Sequence, residues 1–109
     1  MDPWVEIDLD SIGWNLIRVK RHVKVPVMAV VKANAYGHGL VEVSKTLEQA
    51  GADWLMVGKV REGLTLRDAG VACPVLNFGP WAAQDSAELI GRNISQSVYT
   101  EDAVALQEA

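Results

Sequence analysis

Four segments that are typical of buried strands recur along the chain at nearly even spacing. They begin near residues 27, 53, 74 and 96, so the gaps are 26, 21 and 22 residues. Between them lie stretches whose apolar residues follow helical spacing. A strand-then-helix unit repeated at this period indicates an α/β fold with a parallel sheet. No other feature of the sequence limits the possible folds as strongly.

The first segment, residues 27–31, is a run of five apolar residues without alternation. Such a run predicts a strand that is covered on both faces, as strands of parallel sheets are. By the same reasoning, further strands are expected at residues 53–57, 74–78 and 96–99. Helices are expected at residues 40–50, 59–69 and 81–90, with a last helix capped by Thr100.

Residues 4–9 alternate between apolar and acidic side chains, which predicts a short half-buried strand. A helix capped by Asp10 or Ser11 should follow. Its apolar stripe is expected to consist of Ile12, Leu16, Val19 and Val23.

Two architectures fit this pattern: an open doubly wound sheet and a (β/α)8 barrel of the TIM type, which needs about 250 residues to close. The chain has 109 residues and holds about four β/α units. As a barrel it would be half finished, with two unpaired sheet edges. We therefore interpret the chain as an N-terminal piece of a longer protein, and on this pattern alone both architectures stay possible.

Composition excludes several classes of function. The net charge is −4, so no basic face for nucleic acid is expected. The longest apolar run has five residues, far from the roughly 20 that cross a bilayer, and no secretory signal opens the chain. The single cysteine, Cys73, cannot form an internal disulfide and favours a reducing cytoplasm. Two histidines and one cysteine show no metal-ligand spacing, so no metal is expected.

Lys32 directly follows the first buried strand, at the carboxyl edge where α/β folds gather their active sites. An amine held against apolar walls is desolvated, and desolvation favours its neutral, nucleophilic form. A neutral lysine can form a Schiff base with a carbonyl group. The alternative is a lysine that extends from the strand end into water.

The residues after Lys32 form a turn-rich loop. Tyr36 could donate a hydrogen bond to a phosphate group, or it could simply pack over the rim of the sheet. Gly37 and Gly39 allow the backbone to turn sharply. His38 is expected to be a hydrogen-bonding residue of the loop. Elsewhere, surface electrostatics is the role expected of Glu62, Arg67 and Asp68.

Taken together, residues 30–39, with the sequence VVKANAYGHG, resemble the pyridoxal-phosphate attachment signature of alanine racemases. The match is nearly letter for letter over residues 29–39, and the segments 4–9, 49–54 and 62–70 are also similar to that family. The resemblance extends over almost the whole chain but over only about the first third of such an enzyme. It implies that residues 10–109 are the N-terminal half of a (β/α)8 barrel that binds pyridoxal 5′-phosphate. It also implies that residues 1–9 are an opening strand that pairs with a C-terminal β-domain outside this sequence.

The resemblance also implies roles for individual residues. Lys32 would hold the cofactor as a Schiff base and then serve as one of two bases, on the D-alanine side of the substrate. Tyr36 would bind the cofactor phosphate. Phe78, at the end of the third strand, would pack near the cofactor ring, although ordinary packing at the rim is an alternative.

In that family the opposite base is a tyrosine from the partner subunit, and no position in this chain matches it; Tyr99 is not a candidate. The resemblance thus implies a cytoplasmic homodimer that makes D-alanine for peptidoglycan. This chain alone would be inactive. A non-catalytic pyridoxal-phosphate-binding barrel and a serine or broad-spectrum racemase remain alternatives.

Overall fold

The computed structural model describes residues 2–101 and contains a four-stranded parallel sheet with the order β1-β2-β3-β4. The strands are β1 (Met28–Val30), β2 (Trp54–Val57), β3 (Val75–Asn77) and β4 (Ile94–Gln96). The helices are α1 (Leu9–Val23), α2 (Lys32–Tyr36), α3 (Leu40–Gln49), α4 (Val60–Asp68) and α5 (Ser86–Gly91), with a 3₁₀ turn at Ala83–Asp85. The helices predicted at 40–50 and 59–69 are confirmed.

The two faces of the sheet differ in burial. On one face the register aligns a row of apolar residues that are buried or half-buried, namely Ala29, Leu55, Val75 and Ile94. The row one residue further along lies on the opposite face and is half-buried or exposed: Val30, Met56, Leu76 and Ser95. Right-handed crossovers in sequential order place every covering helix on the same side. This is the arrangement of a (β/α)8 barrel, since a doubly wound sheet reverses its strand order at a switch point.

The core lies between the sheet and these helices. The apolar side chains that are completely inaccessible to solvent come from the strands, their immediate ends and α4: Val31, Leu55, Val57, Leu66 and Val75. Burying an aliphatic side chain of this size contributes about 1.5–3 kcal/mol. The covered face therefore stabilises the sheet, while the opposite face contributes little within the described residues.

Helix α1 begins earlier than the sequence predicted. Its N-cap is Asp8, whose Oδ1 accepts from the Ser11 N–H at 3.1 Å and whose Oδ2 accepts from the Ser11 hydroxyl at 2.8 Å. These hydrogen bonds hold the pKa of Asp8 below its ordinary value. The caps predicted at Asp10 or Ser11 were therefore wrong. Leu9 belongs to the helix and not to a strand.

Residues 4–8 pair with no strand of the described chain, so the predicted opening strand is not formed within residues 2–101. A strand needs a neighbouring backbone to satisfy its N–H and C=O groups. None of the four strands offers one here. Pairing of residues 1–9 with a C-terminal β-domain stays a prediction.

The predicted stripe of α1 is only partly right. Leu16 is buried, but Val19 and Val23 are 46% and 41% exposed. The helix packs against α3, and the contact runs through Gly13, where an added Cβ would lie 3.3 Å from Thr46 Cγ2. A small residue at the crossing lets the two helices approach closely, which the apolar spacing did not reveal.

The C-terminal elements are shifted relative to the prediction. The fourth strand was expected at residues 96–99 but is Ile94–Gln96, because Ile94 pairs with Val75 and fills the core. Helical structure between residues 81 and 90 begins only with the 3₁₀ turn at Ala83–Asp85. Of the helix predicted after Thr100, only Glu101 is described, and it is helical; the rest of the prediction lies outside the described residues. None of the helices within residues 2–101 is both long enough and apolar enough to cross a membrane.

Candidate functional site

Lys32, Gly58 and Phe78 follow β1, β2 and β3 at equivalent positions of the register. Val30, Met56 and Leu76 are aligned, and each of the three residues lies two positions further along its strand. The backbone continues this alignment, because Phe78 N–H donates to the Val57 carbonyl at 2.9 Å. Strands lie about 4.8 Å apart, so Lys32 and Phe78 begin about 10 Å apart on the uncovered face.

Gly58 occupies the position between them and carries no side chain. A Cβ built on Gly58 would lie 3.2 Å from the Lys32 Cβ and 3.8 Å from its Cδ. The absence of a side chain at Gly58 therefore leaves space directly beside Lys32. No pattern in the sequence marks this glycine as part of the site.

Residues 32–39, here called the lysine loop, contain an uncommon backbone conformation. Residues 33–36 are four consecutive non-glycine residues with φ between 53° and 57°. A left-handed conformation costs about 1–2 kcal/mol for each such residue. Strain of this kind persists only where the surroundings fix it, and it concentrates at ligand-binding sites.

Asn34 is the centre of the hydrogen bonds that hold this turn. Its carbonyl accepts from the N–H groups of Gly37 and Gly39, both at 3.0 Å. Its side-chain Oδ1 accepts from the Leu40 N–H at 2.8 Å and so caps α3, whose N-cap residue has no side chain. Asparagine tolerates the left-handed region better than most residues. The loop sequence contained this residue, but its capping role was missed.

Ala35 anchors the lysine loop to the core. Its side chain is buried, and its N–H donates to the Val31 carbonyl at 2.8 Å. The Ala35 carbonyl accepts from the His38 N–H at 3.1 Å and lies 2.9 Å from His38 Nδ1. The contacts of His38 agree with the hydrogen-bonding role predicted for it.

The side chain of Lys32 is exposed, and within residues 2–101 it makes no hydrogen bond or ion pair. The desolvated amine expected from the sequence is therefore not present in this part of the chain. The reason is geometric: the four described strands cover the amine on one side only. Tyr36 is 59% exposed, and its hydroxyl likewise has no partner among the described residues.

Phe78 is 50% exposed and packs edge-on against Tyr99, with ring centroids 6.3 Å apart and planes at 88°. The Tyr99 hydroxyl donates to the Phe78 carbonyl. One edge of the Phe78 ring is thus used for rim packing, and half of its surface stays free. The Tyr99 side chain thus contacts both the ring and the carbonyl of Phe78.

Two residues expected to serve surface electrostatics have other roles. Glu62 accepts from the N–H groups of Gly58 and Asn34, at 3.0 and 3.2 Å. The guanidinium group of Arg67 donates to four backbone carbonyls at 2.8–2.9 Å, those of Val71, Cys73, Arg92 and Asn93. Only Asp68, in an exposed ion pair with Arg92 at 2.6 Å, fits the expectation. Glu62 is three residues beyond the N-cap of α4, a spacing that could have signalled a capping role.

Within residues 2–101, neither the thiol of Cys73 nor the possible metal ligands form a second site. Burial raises the pKa of the Cys73 thiol, and the nearby Glu48 carboxylate raises it further, so the thiol is protonated at neutral pH. Among residues 2–101, His, Cys, Asp and Glu side chains form no group that could hold a metal ion.

The profile described as "Alanine racemase, N-terminal domain" matches residues 7–109. The chain belongs to the alanine racemase family. It is 48% identical over 99 residues to the alanine racemase of Methanococcus maripaludis, covering 89% of this chain and 26% of that protein. It is 43% identical over 104 residues to the enzyme of Halalkalibacterium halodurans, covering 93% of this chain and 27% of that protein.

Solved structures of alanine racemases share the fold. The Clostridium difficile enzyme superimposes with a TM-score of 0.86 at 35% identity, over 95% of this chain and 28% of that one. The Bacillus anthracis enzyme with bound L-Ala-P gives 0.84 at 34% identity, over 96% and 30%. The chain thus spans about a quarter of the curated relatives and less than a third of these structures. Its fold is the N-terminal portion of a (β/α)8 barrel, as the sequence predicted.

Proposed function

We propose that this chain provides the cofactor-binding lysine of a pyridoxal-phosphate-dependent racemase that interconverts L- and D-alanine. The observation that carries the proposal is the position of Lys32. It lies at the carboxyl end of β1, at the head of a strained loop, in a chain of the alanine racemase family. Active sites of (β/α)8 barrels are built at this end of the strands.

The residues at this edge fit the cofactor. Lys32 presents an amine without a partner in the described chain, and Gly58 leaves space beside it. Tyr36, four residues along the same loop, presents a phenol that has no partner among residues 2–101 and could donate to a phosphate oxygen. Phe78 is half exposed, so its ring could pack against the cofactor ring. Lys32 would bind the aldehyde covalently, Tyr36 the phosphate and Phe78 the ring.

When bound, pyridoxal phosphate supplies stabilisation of negative charge on the substrate α-carbon. The amine of Lys32, once released from its covalent link, would hold and return the α-proton on the D-alanine side. A single amine reaches only one face of a planar carbon, so racemisation needs a second base on the opposite face. No residue of this chain is assigned to that role. We propose that a partner protomer supplies it, in a cytoplasmic homodimer.

The test uses the native protein and two lysine variants. Borohydride should fix the cofactor to Lys32, which peptide mapping would locate, and Lys32→Ala should abolish both the label and D-alanine formation. Lys45→Ala, at an exposed lysine of α3, is the matched control and should change neither. A fully active Lys32→Ala variant with the label at another residue would falsify the assignment.

The same assay separates this proposal from its alternatives. A native protein that binds pyridoxal phosphate but racemises no amino acid would be a binding protein. Equal rates with alanine and serine would indicate a broad-spectrum racemase. The 109 residues alone should form no D-alanine, because they include one base only; formation of D-alanine by this chain alone would contradict the two-protomer site.

A further inference from the structure

We infer that Glu62 is a positioning residue for Lys32, an inference that rests on the proposed function. Its carboxylate joins two segments that meet at the lysine. Oε1 accepts from the Gly58 N–H at 3.0 Å, just after β2, and Oε2 accepts from the Asn34 N–H at 3.2 Å, inside the lysine loop. Glu62 itself is half-buried.

Helix capping explains only half of this arrangement. Glu62 lies three residues beyond the N-cap Lys59, and a glutamate at that position commonly reaches back to the start of its helix. The bond to Gly58 is local in the same way, although it reaches the residue just before the N-cap and not the N-cap itself. The bond to Asn34 crosses 28 residues of sequence and reaches a different element. A role limited to the start of α4 would not require this second hydrogen bond.

A carboxylate suits both bonds. The N–H of Asn34 belongs to a left-handed turn and cannot join a right-handed helical ladder. An ionised acceptor binds such groups about twice as strongly as a neutral one. A carboxylate offers an acceptor oxygen to each N–H, whereas glutamine would turn its NH₂ group towards one of them. Glu62→Gln therefore breaks one bond and keeps the side-chain volume.

The effect on Lys32 passes through the backbone. Lys32 forms no ion pair with Glu62 among the described residues. Instead, Gly58 lies against the Lys32 side chain, with 3.2 Å between its Cβ position and the Lys32 Cβ, and Asn34 is two residues away from Lys32. Fixing both segments with one carboxylate fixes the direction in which the lysine leaves the sheet. A displacement of about 1 Å at a reacting group is enough to reduce function strongly.

The chain contains a matched control for this bridge. Glu48 Oε2 also accepts from two backbone N–H groups, those of Ala72 and Cys73, both at 2.7 Å. These residues precede β3 and so lie at the end of the sheet opposite Lys32. Both N–H groups share one oxygen of Glu48, so Glu48→Gln keeps an acceptor for each but removes its charge; it should weaken both bonds and reduce stability without affecting the cofactor.

The experiment compares the native protein with Glu62→Gln, Glu62→Asp and Glu48→Gln. Three quantities are measured: the midpoint of urea unfolding, the Kd for pyridoxal phosphate, and the pH midpoint of the visible absorbance of the bound cofactor. We expect Glu62→Gln to weaken cofactor binding about tenfold, equivalent to about 1.4 kcal/mol, and to shift the pH midpoint. Glu48→Gln should change Kd less than twofold and leave the pH midpoint in place.

Glu62→Asp keeps both acceptor oxygens on a side chain shorter by one methylene, so it should give a smaller loss and serves if the glutamine variant does not fold. An unchanged Kd and pH midpoint in both Glu62 variants would overturn the inference while the proposed function stands. Equal effects of Glu48→Gln would also overturn it, since they would reflect stability alone. A native protein that binds no pyridoxal phosphate would overturn the proposed function and this inference with it.

Discussion

The backbone at Gly79 lies so close to Gly58 that a Cβ on Gly79 would stand 1.8 Å from the Gly58 carbonyl oxygen. Real Cβ atoms do not approach backbone oxygens at this distance, so any side chain must displace the loops after β2 and β3. The pair thus sets the spacing of two neighbouring loops at the carboxyl edge of the sheet. One of them is the segment that lies against Lys32.

Gly79→Ala should destabilise the protein by about 3 kcal/mol, because the clash is with backbone and cannot be relieved by a rotamer change. The difference between the free energies of urea unfolding of the native protein and the variant measures this loss. Gly91→Ala is the matched control, since Gly91 ends α5 and its Cβ position has open space. It should be neutral or slightly stabilising. Equal stability of the two variants would contradict the steric argument.

Asn34 should show separate contributions from capping and from conformation. Asn34→Ala and Asn34→Gly both lose the cap on Leu40 N–H, at a cost of about 1 kcal/mol. Only alanine also carries the left-handed penalty, so it should be less stable than the glycine variant by about a further 1 kcal/mol. The two unfolding midpoints give the difference directly. If alanine is as stable as glycine, the turn is not left-handed in solution.

Arg67→Ala should reduce stability by about 2–4 kcal/mol, because four carbonyls lose a charged donor at once. Arg67→Lys should recover only part of the loss, since an ammonium group lacks the planar fork that reaches them. Arg61→Ala, on an exposed position of the same helix, should change stability by less than about 0.5 kcal/mol. Thermal melting distinguishes the three variants. Full recovery of stability in Arg67→Lys would contradict the role given to the planar guanidinium group.

The ionisation of Asp53 should make the free energy of unfolding depend on pH. The Val27 N–H, at 2.7 Å, and Lys20, at 3.2 Å, hold the pKa of Asp53 below its ordinary value. A lowered carboxyl pKa gives a stabilisation that is complete above the ordinary value, near 4, and is lost as the pH falls from there through the folded-state value. The free energy of unfolding of Asp53→Asn should therefore approach that of the native protein as the pH falls below about 4. A constant difference across this range would contradict the assignment.

Tyr36→Phe tests the phosphate contact proposed for the lysine loop. Removing a phenol that donates to a charged acceptor should weaken pyridoxal-phosphate binding about tenfold, or about 1.4 kcal/mol. Tyr99→Phe is the control, because the Tyr99 hydroxyl is used by the Phe78 carbonyl. Its cofactor Kd should stay within about twofold. The contact would be disproved if Tyr36→Phe bound the cofactor as tightly as the native protein.

Several elements could be predicted because their causes are local. The period of the strand and helix segments determined the α/β repeat, and apolar runs located β1, β2 and β3 to within about two residues. The position of Lys32 at the end of a buried strand, and the motif around it, identified the candidate site. These features depend on side-chain spacing and composition, which the sequence contains in full.

Other features were decided by residues far apart in the chain. The sequence placed a strand at residues 4–9, but no neighbour in the described chain pairs with it, and Asp8 caps a helix instead. It placed β4 two residues late, because the position was set by the fit of Ile94 beside Val75. Surface electrostatics was expected of Glu62 and Arg67, because helical spacing does not reveal that Glu62 meets the distant Asn34 N–H or that Arg67 meets carbonyls up to 26 residues away.

By itself, the sequence determined the repeat, the buried strands and the lysine at the sheet edge, because hydrophobic periodicity acts over a few neighbouring residues. The tertiary structure alone decided that residues 33–36 are left-handed and that Glu62 reaches Asn34 across 28 residues. A strained turn and a bridging carboxylate are stable only when the fold brings their hydrogen-bond partners into place. Such partners become neighbours only after the sheet and its helices have packed.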